Sequence, residues 1–191
     1  MTEKVTLILL AGGSSKRMGQ PKHLLLTSRG TLIEHLDLRL RHLFSETLAV
    51  GRDLASMQLR TVSDLYLAQS PLVGIYSGLV ASQTDVNFVL ACDMPFVNPT
   101  LVSYLISCAG DVDVVVPIVN GYYEPLCAVY RKQAIPVIGE VLDRNVLKVT
   151  EIYSDLLVRE VPEQRLRAFD SELTSFINLN TPRELALLKR I

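Results

Sequence analysis

Gly12 and Gly13, followed by Arg17 and Lys22, are the residues of this sequence best placed to do chemistry together. A glycine pair lets successive backbone N–H groups turn toward one anion, and the arginine and lysine supply cations to the same short stretch. Such a stretch is suited to holding a polyphosphate. Two carboxylates, Asp64 and Asp93, each follow an apolar run. A carboxylate facing a triphosphate needs a cation between them, and magnesium, bound by one or two carboxylates with phosphate oxygens and water, meets that need. Asp64 reads equally as an acceptor for a base or ribose and as a turn residue.

The elements that must position these residues are legible around them. Val5 to Leu10 is a short apolar run ended by the glycine pair, the pattern of a strand buried on both faces of a parallel sheet. In open α/β sheets ligands lie at the carboxyl ends of the strands. The spacing of Gly12, Gly13 and Gly19 is not G-x-G-x-x-G, and Lys22 does not directly follow a glycine as in a Walker loop. Kinase, GTPase and dehydrogenase readings are therefore disfavoured.

Apolar residues make up 49% of the 191, and nineteen basic against twenty acidic residues leave a net charge of −1. The composition predicts one compact domain over residues 1–191, with no global field that draws it to nucleic acid or membrane. Three cysteines, Cys92, Cys108 and Cys127, without C-x-x-C spacing, predict neither a disulfide framework nor a zinc site and fit a cytoplasmic protein. Cys92 and Cys127 read as small core residues. No run approaches the roughly twenty apolar residues that span a bilayer, and Val5 to Ala11, preceded by Glu3, does not read as a secretory signal.

Along the chain, Leu24 to Leu26 reads as a short extension before a Ser28-Arg29-Gly30 turn, and Thr31 to Phe44 as an amphipathic helix. His35 and His42 on that helix read as packing or surface residues. Strands are expected at Thr47 to Val50, Leu59 to Val62 and Asn87 to Cys92, with a short helix or turn around Asp53 to Met57. A helix from Leu72 to Ala81 is expected to bury Ile75, Leu79 and Val80. Asn98-Pro99 caps the next helix. Val112 to Pro117 and Tyr122 to Tyr130 form a hairpin through Asn120-Gly121, and Gln133 to Asp143 is helical. Asn145 to Asp170 shows only a strand at Leu156 to Val161. Phe176 to Leu179 is expected to be a strand, and Thr181-Pro182-Arg183-Glu184 a capping box opening a final helix. Alternation along that strand would turn Asn178 and Asn180 to one face, where they either bond the backbone ahead of the cap or meet a ligand.

Leu10, Ala11, Gly12, Gly13, Ser15, Arg17, Met18, Gly19 and Lys22 are in register with L-A-G-G-x-S-x-R-M-G-x-x-K, and the chain is identified by it as resembling the molybdenum cofactor guanylyltransferases (the MobA family). Ser70 to Gly74 is similar to that family's G-P-L-x-G, the residues after Asp93 to its D-x-P, Pro125 to Tyr130 to its P-L-x-A-x-Y, and Phe176 to Leu185 to its closing F-x-N-x-N-T-P-x-E-L. The resemblance covers nearly the whole chain. It implies a Rossmann-like α/β nucleotidyltransferase fold with a mostly parallel central sheet, helices on both faces and a small β-hairpin addition. It also implies GTP as substrate, Mg2+, and molybdopterin or molybdenum cofactor as the acceptor of GMP, with cofactor-delivery or acceptor proteins as further partners. Leu10, Ala11, Gly12, Gly13, Lys22, Asp64 and Asp93 are the implied nucleotide site. Arg17, Lys22 and Asp93 are the implied catalytic groups, Asp93 the metal ligand, and Asn178 and Asn180 the pterin contacts.

Two departures from the family pattern bear on the base. Pro21 stands where the family often has aspartate, so that Gln20-Pro21-Lys22 resembles the sister cytidylyltransferases and leaves GTP against CTP open. Ser70 replaces a glycine and, lacking glycine's freedom at positive φ, is expected to tighten the backbone near the base pocket. A transferase acting on a sugar or alcohol phosphate and a non-catalytic nucleotide-binding protein are the other readings. Retention of both Lys22 and Asp93 speaks against the latter.

Overall fold

The computed structural model describes residues 3–11, 24–27, 30–51, 54, 59–180, 184 and 188. Its elements in chain order are β1 (Val5–Leu10), β2 (Leu26–Thr27), β3 (Gly30–Thr31), α1 (Leu32–Leu40), β4 (Glu46–Val50), β5 (Arg60–Val62), α2 (Pro71–Ala81) and β6 (Val86–Ala91). They continue with α3 (Pro99–Ser107), β7 (Val114–Val119), β8 (Tyr122–Tyr123), β9 (Cys127–Arg131), α4 (Ile135–Asp143), β10 (Val158–Val161) and α5 (Glu163–Leu166). The main sheet runs β10-β7-β9-β6-β1-β4-β5, with β8 paired to β7. All pairings along it are parallel except those of β9, which is antiparallel to both β6 and β7. This is the mostly parallel α/β sheet expected from the sequence.

Every residue of β1 is buried, because helices cover both of its faces. Leu7 and Leu9 pack with Ile33, Leu36 and Leu40 of α1 and with Leu101, Val102 and Leu105 of α3. Ile8 and Leu10 pack on the opposite side with Leu72, Ile75 and Leu79 of α2 and Ile138 of α4. Each such side chain contributes about 2 kcal/mol on removal from water. Thr6 is the polar member of the strand, and its hydroxyl is satisfied by Glu46, Thr84 and Ser82.

Helix α2 lies unusually close to β1. A Cβ on Gly78 would meet Cγ2 of Ile8 at 2.6 Å, and one on Gly74 would meet Cδ2 of Leu10 at 3.0 Å. The missing side chains let the helix backbone press on the strand that feeds the glycine-rich segment. Ser70 begins this helix in extended backbone, φ −151°, which any residue adopts, and its hydroxyl accepts the Val73 N–H at 3.3 Å. Serine is therefore a helix cap here, and the expected tightening of the backbone does not apply.

Four other sequence expectations change. Val80 is 44% exposed, because α2 is already wide enough with Leu72, Val73, Ile75 and Leu79 to cover the sheet. Phe176 to Leu179 forms no strand: Thr174–Phe176 is a 3-10 turn, and the residues after it have no strand neighbour. Tyr122 to Tyr130 divides into β8 and β9, broken at Glu124-Pro125-Leu126. The Asn120-Gly121 turn stands as expected, both residues having positive φ, 51° and 80°. The helix expected to reach Phe44 ends at Leu40 and tightens into a 3-10 turn over Arg41–Leu43. The turn around Asp53 to Met57 lies mostly outside the described residues, and among those described no helix is long and apolar enough to cross a membrane.

Candidate active site at the carboxyl edge of the sheet

Strand β1 is held on both sides up to its last residue. Leu10 is paired with Val50 of β4 and with Ala91 of β6. Beyond the ladder, Ala11 donates its N–H to the Val50 carbonyl at 2.8 Å, and Cys92 donates to the Leu10 carbonyl at 3.1 Å. Leu10 and Ala11 thus lie where the nucleotide was expected. Gly12, Gly13, Arg17 and Lys22 lie outside the described residues. Leu25 is buried with Leu32, Leu179 and Leu188, and its carbonyl accepts the Leu32 N–H at 2.8 Å.

Asp93 follows β6 after one intervening residue, Cys92, and is half-buried. A turn in which Met94 donates to the Ala91 carbonyl at 3.2 Å presents it at the edge. Among the described residues no group of three or more His, Cys, Asp or Glu could hold a metal. One strand-end carboxylate fits a cation that completes its coordination with phosphate oxygens and water.

Asp64 follows β5 at the same edge and is also half-buried. The next residue, Leu65, donates its N–H to Ser77 Oγ at 2.9 Å, and Ser77 Oγ donates to the Val73 carbonyl at 2.8 Å, so α2 fixes this loop. Asp64 and Asp93 end β5 and β6, with β1 and β4 between them. Three strand spacings of about 4.8 Å put their strands roughly 14 Å apart.

The C-terminal segment reaches Asp93 by a route the strand reading missed. Leu179 donates its N–H to the Asp93 carbonyl at 2.9 Å and buries its side chain with Leu25 and Leu32. Asn178 and Asn180 flank that bond, Asn178 half-buried and Asn180 exposed. Asn180 donates its N–H to the Asn178 carbonyl at 3.1 Å and to Glu184 Oε2 at 2.7 Å. The structure brings Asp93, Asn178 and Asn180 together, and leaves Asp64 on the far side of β1.

A buried carboxylate holds this segment in place. Asp170 accepts from Ser175 N–H at 2.7 Å, Ser175 Oγ at 2.6 Å, and both Thr174 N–H and Thr174 Oγ1 at 3.1 Å. Burial pushes its carboxyl pKa up, but the hydrogen bonds from Ser175 and Thr174 outweigh that and hold it below the ordinary aspartate value. Ser175 Oγ then accepts the Asn98 N–H at 2.9 Å, and Asn98 donates through Nδ2 to the Phe169 carbonyl at 2.8 Å. Asn98 also caps α3 through Thr100 N–H at 2.9 Å. The cap was legible in the sequence; its second duty to Phe169 and Ser175 was not.

Glu124 is a further residue of this edge that sequence reasoning passed over. It precedes Cys127, the partner of Leu90 in β6, by three residues, as Asp93 follows Leu90 by three. Its position before a proline in a hairpin was the available signal. Cys92 and Cys127 are buried. Burial, with Glu124 and Asp170 nearby, pushes the Cys127 thiol far up, which suits a core residue and not a nucleophile.

A model of the MobA-like NTP transferase domain matches residues 7–157. A probable molybdenum cofactor guanylyltransferase of Natranaerobius thermophilus is 34% identical over 194 residues, covering 97% of this chain and 95% of the relative. A molybdenum cofactor guanylyltransferase of Desulfosudis oleivorans is also 34% identical, over 96% and 93%. Among solved structures, the molybdopterin-guanine dinucleotide biosynthesis protein A of Archaeoglobus fulgidus superposes with a TM-score of 0.85 at 29% identity, covering 97% of both chains. The 2-C-methyl-D-erythritol 4-phosphate cytidylyltransferase of Thermus thermophilus shares the fold, with a TM-score of 0.73 at 17% identity over 98% of both chains.

Proposed function

The chain belongs to the MobA-like NTP transferase family, and from that premise we propose that it transfers GMP from GTP to the terminal phosphate of molybdopterin or molybdenum cofactor. Its full-length likeness to molybdenum cofactor guanylyltransferases supports the substrates. The observation that supports the reading is the bond from Leu179 N–H to the Asp93 carbonyl, which holds the segment of Asn178 and Asn180 next to Asp93. Residues 1–191 act as one nucleotidyltransferase domain, in the cytoplasm, where the three free cysteines stay reduced.

A phosphate oxygen of the pterin attacks the α-phosphorus of GTP, a new P–O bond forms, and the bond to the β-phosphate breaks with its electron pair leaving on pyrophosphate. The attacking phosphate is already ionised, so no general base is required. Positioning and charge neutralisation supply the rate. Leu10, Ala11, Gly12 and Gly13 bind the nucleotide, Arg17 and Lys22 neutralise its phosphates, and Asp64 receives the base or ribose. Asp93 would hold magnesium, which supplies neutralisation of the phosphate charge that builds during transfer. Asn178 and Asn180 orient the pterin substrate. A delivery or acceptor protein is the expected source or destination of the cofactor.

The test is turnover of molybdenum cofactor with each of the four nucleoside triphosphates, read as pyrophosphate release and as the dinucleotide formed. GTP is expected to be preferred. Preference for CTP would move the chain to the cytidylyl branch suggested by Pro21, and no transfer with any nucleotide would remove the reading altogether.

A further inference from the structure

Glu124 carries a half-buried carboxylate, and among the described residues no donor is bonded to it. Taking a carboxylate out of water without a partner is costly, and such groups concentrate where a ligand completes them. The backbone around it is fixed. Glu124 donates its N–H to the Pro117 carbonyl at 2.9 Å, Cys127 donates to the Glu124 carbonyl at 3.2 Å, and Ala91 donates to the Leu126 carbonyl at 2.8 Å. The Tyr130 hydroxyl donates to the Pro125 carbonyl at 2.9 Å. Three residues interrupting a hairpin are thus held as firmly as a strand.

Its side of the sheet can be read from Cys127. Cys127, three residues on, is buried in the same cluster as Leu173 and Phe176, so the stretch that carries Glu124 enters β9 beside the segment leading to Asn178 and Asn180. Burial raises the Glu124 carboxyl pKa above its ordinary value. Asp64 lies the other way along the edge, beyond β1 and β4. Asp93 therefore stands between a nucleotide side marked by Asp64 and a second-substrate side marked by Glu124 and the two asparagines.

We propose that Glu124 recognises the second substrate by its 2-amino-4-oxopyrimidine edge, where a ring N–H and an adjacent NH2 donate in parallel to the two carboxylate oxygens. This rests on the reading that the acceptor is a pterin. A carboxylate offers acceptors on both oxygens, whereas the isosteric amide sets one donor against that edge. Guanine carries the same pair of donors. Placement on the asparagine side assigns Glu124 to the pterin and not to the nucleotide.

The experiment compares the wild-type chain with Glu124→Gln and Glu124→Asp, by steady-state kinetics in both substrates and by equilibrium binding of molybdopterin and of GTP. Glu124→Gln is expected to raise KM and the dissociation constant for the pterin roughly 10- to 100-fold, the loss expected for a hydrogen bond to a charged group. The GTP constants should stay within about twofold, and Glu124→Asp, which keeps both oxygens, should recover part of the loss. Unchanged pterin binding, a loss confined to GTP, or equal losses for both ligands would overturn the assignment. If the wild-type chain transfers no GMP the reaction named above fails, while molybdopterin binding still decides the role of Glu124.

Discussion

Leu179 donates its backbone N–H to the carbonyl of Asp93 at 2.9 Å, and both flanking residues are asparagines. The bond ties a segment near the C-terminus to the end of β6, more than eighty positions earlier in the chain. Asn178 and Asn180 are thereby held next to Asp93 without belonging to any strand.

Asn180→Ala, and to a smaller degree Asn178→Ala, should raise KM for molybdenum cofactor roughly tenfold, the loss of one hydrogen bond, while GTP binding stays near that of the wild type. Asn180 is exposed, so its removal should leave Tm almost unchanged. Equal loss of both ligands with a lower Tm would show that the asparagines only shape the backbone.

Asp170 is the anchor of that segment, and its effect should depend on pH. Its pKa is lower in the folded chain than in the unfolded one, so its contribution is present above the unfolded value near 3.9 and is lost as pH falls through the folded value. At pH 7 Asp170→Asn should cost about 2 kcal/mol, or roughly 4–8 °C in Tm. The difference from wild type should shrink below about pH 4. The same variant should raise KM for the pterin more than KM for GTP, because Asp170 fixes the asparagine segment and not the β1 edge. Thermal unfolding across pH, with kinetics in each substrate, checks both statements.

How far the sequence disclosed this arrangement depended on the length and periodicity of each element. β1, β6 and α3 were legible because six or more residues carry one periodic signal, and Asp93 could be placed by counting from β6. The region from Asn145 to Asp170 folds as a 3-10 stretch over Val149–Asp155, the four-residue strand β10 and the four-residue helix α5, each too short to set a period. Phe176 and Leu179 misled because both are buried, but in different clusters: Phe176 beneath α3, and Leu179 with Leu25 and Leu32. Two anchors to separate cores imitate a strand. Asp170 could not be assigned at all, since its partners Thr174 and Ser175 become meaningful only once Asn98 closes the network from across the chain.

Asp93→Ala should lower pyrophosphate release at least roughly 100-fold, the scale of losing one group that stabilises transition-state charge, with Tm within a few degrees of wild type because the side chain is half-exposed. Saturating magnesium should not restore activity. Near-normal turnover would remove Asp93 from the reaction.

The close approach of α2 to β1 gives a stability prediction independent of the chemistry. A methyl group at Gly78 would come within 2.6 Å of Ile8 Cγ2 and 3.0 Å of Ile8 Cδ1, inside the contact distance of real side chains. Ile8 is fully buried and cannot swing aside, since α2 covers it from above and β4 and β6 flank its strand. Overpacking of this kind costs about 1–3 kcal/mol, against the gain of up to 1 kcal/mol that alanine brings over glycine in a helix. Gly78→Ala should therefore be net destabilising in urea or thermal unfolding. Combining it with Ile8→Ala, which empties the space the new methyl needs, should cost less than the two single changes added together. Strict additivity would mean that α2 can lift from the sheet freely, and the contact would then have no part in fixing Leu10 and Ala11 at the nucleotide edge.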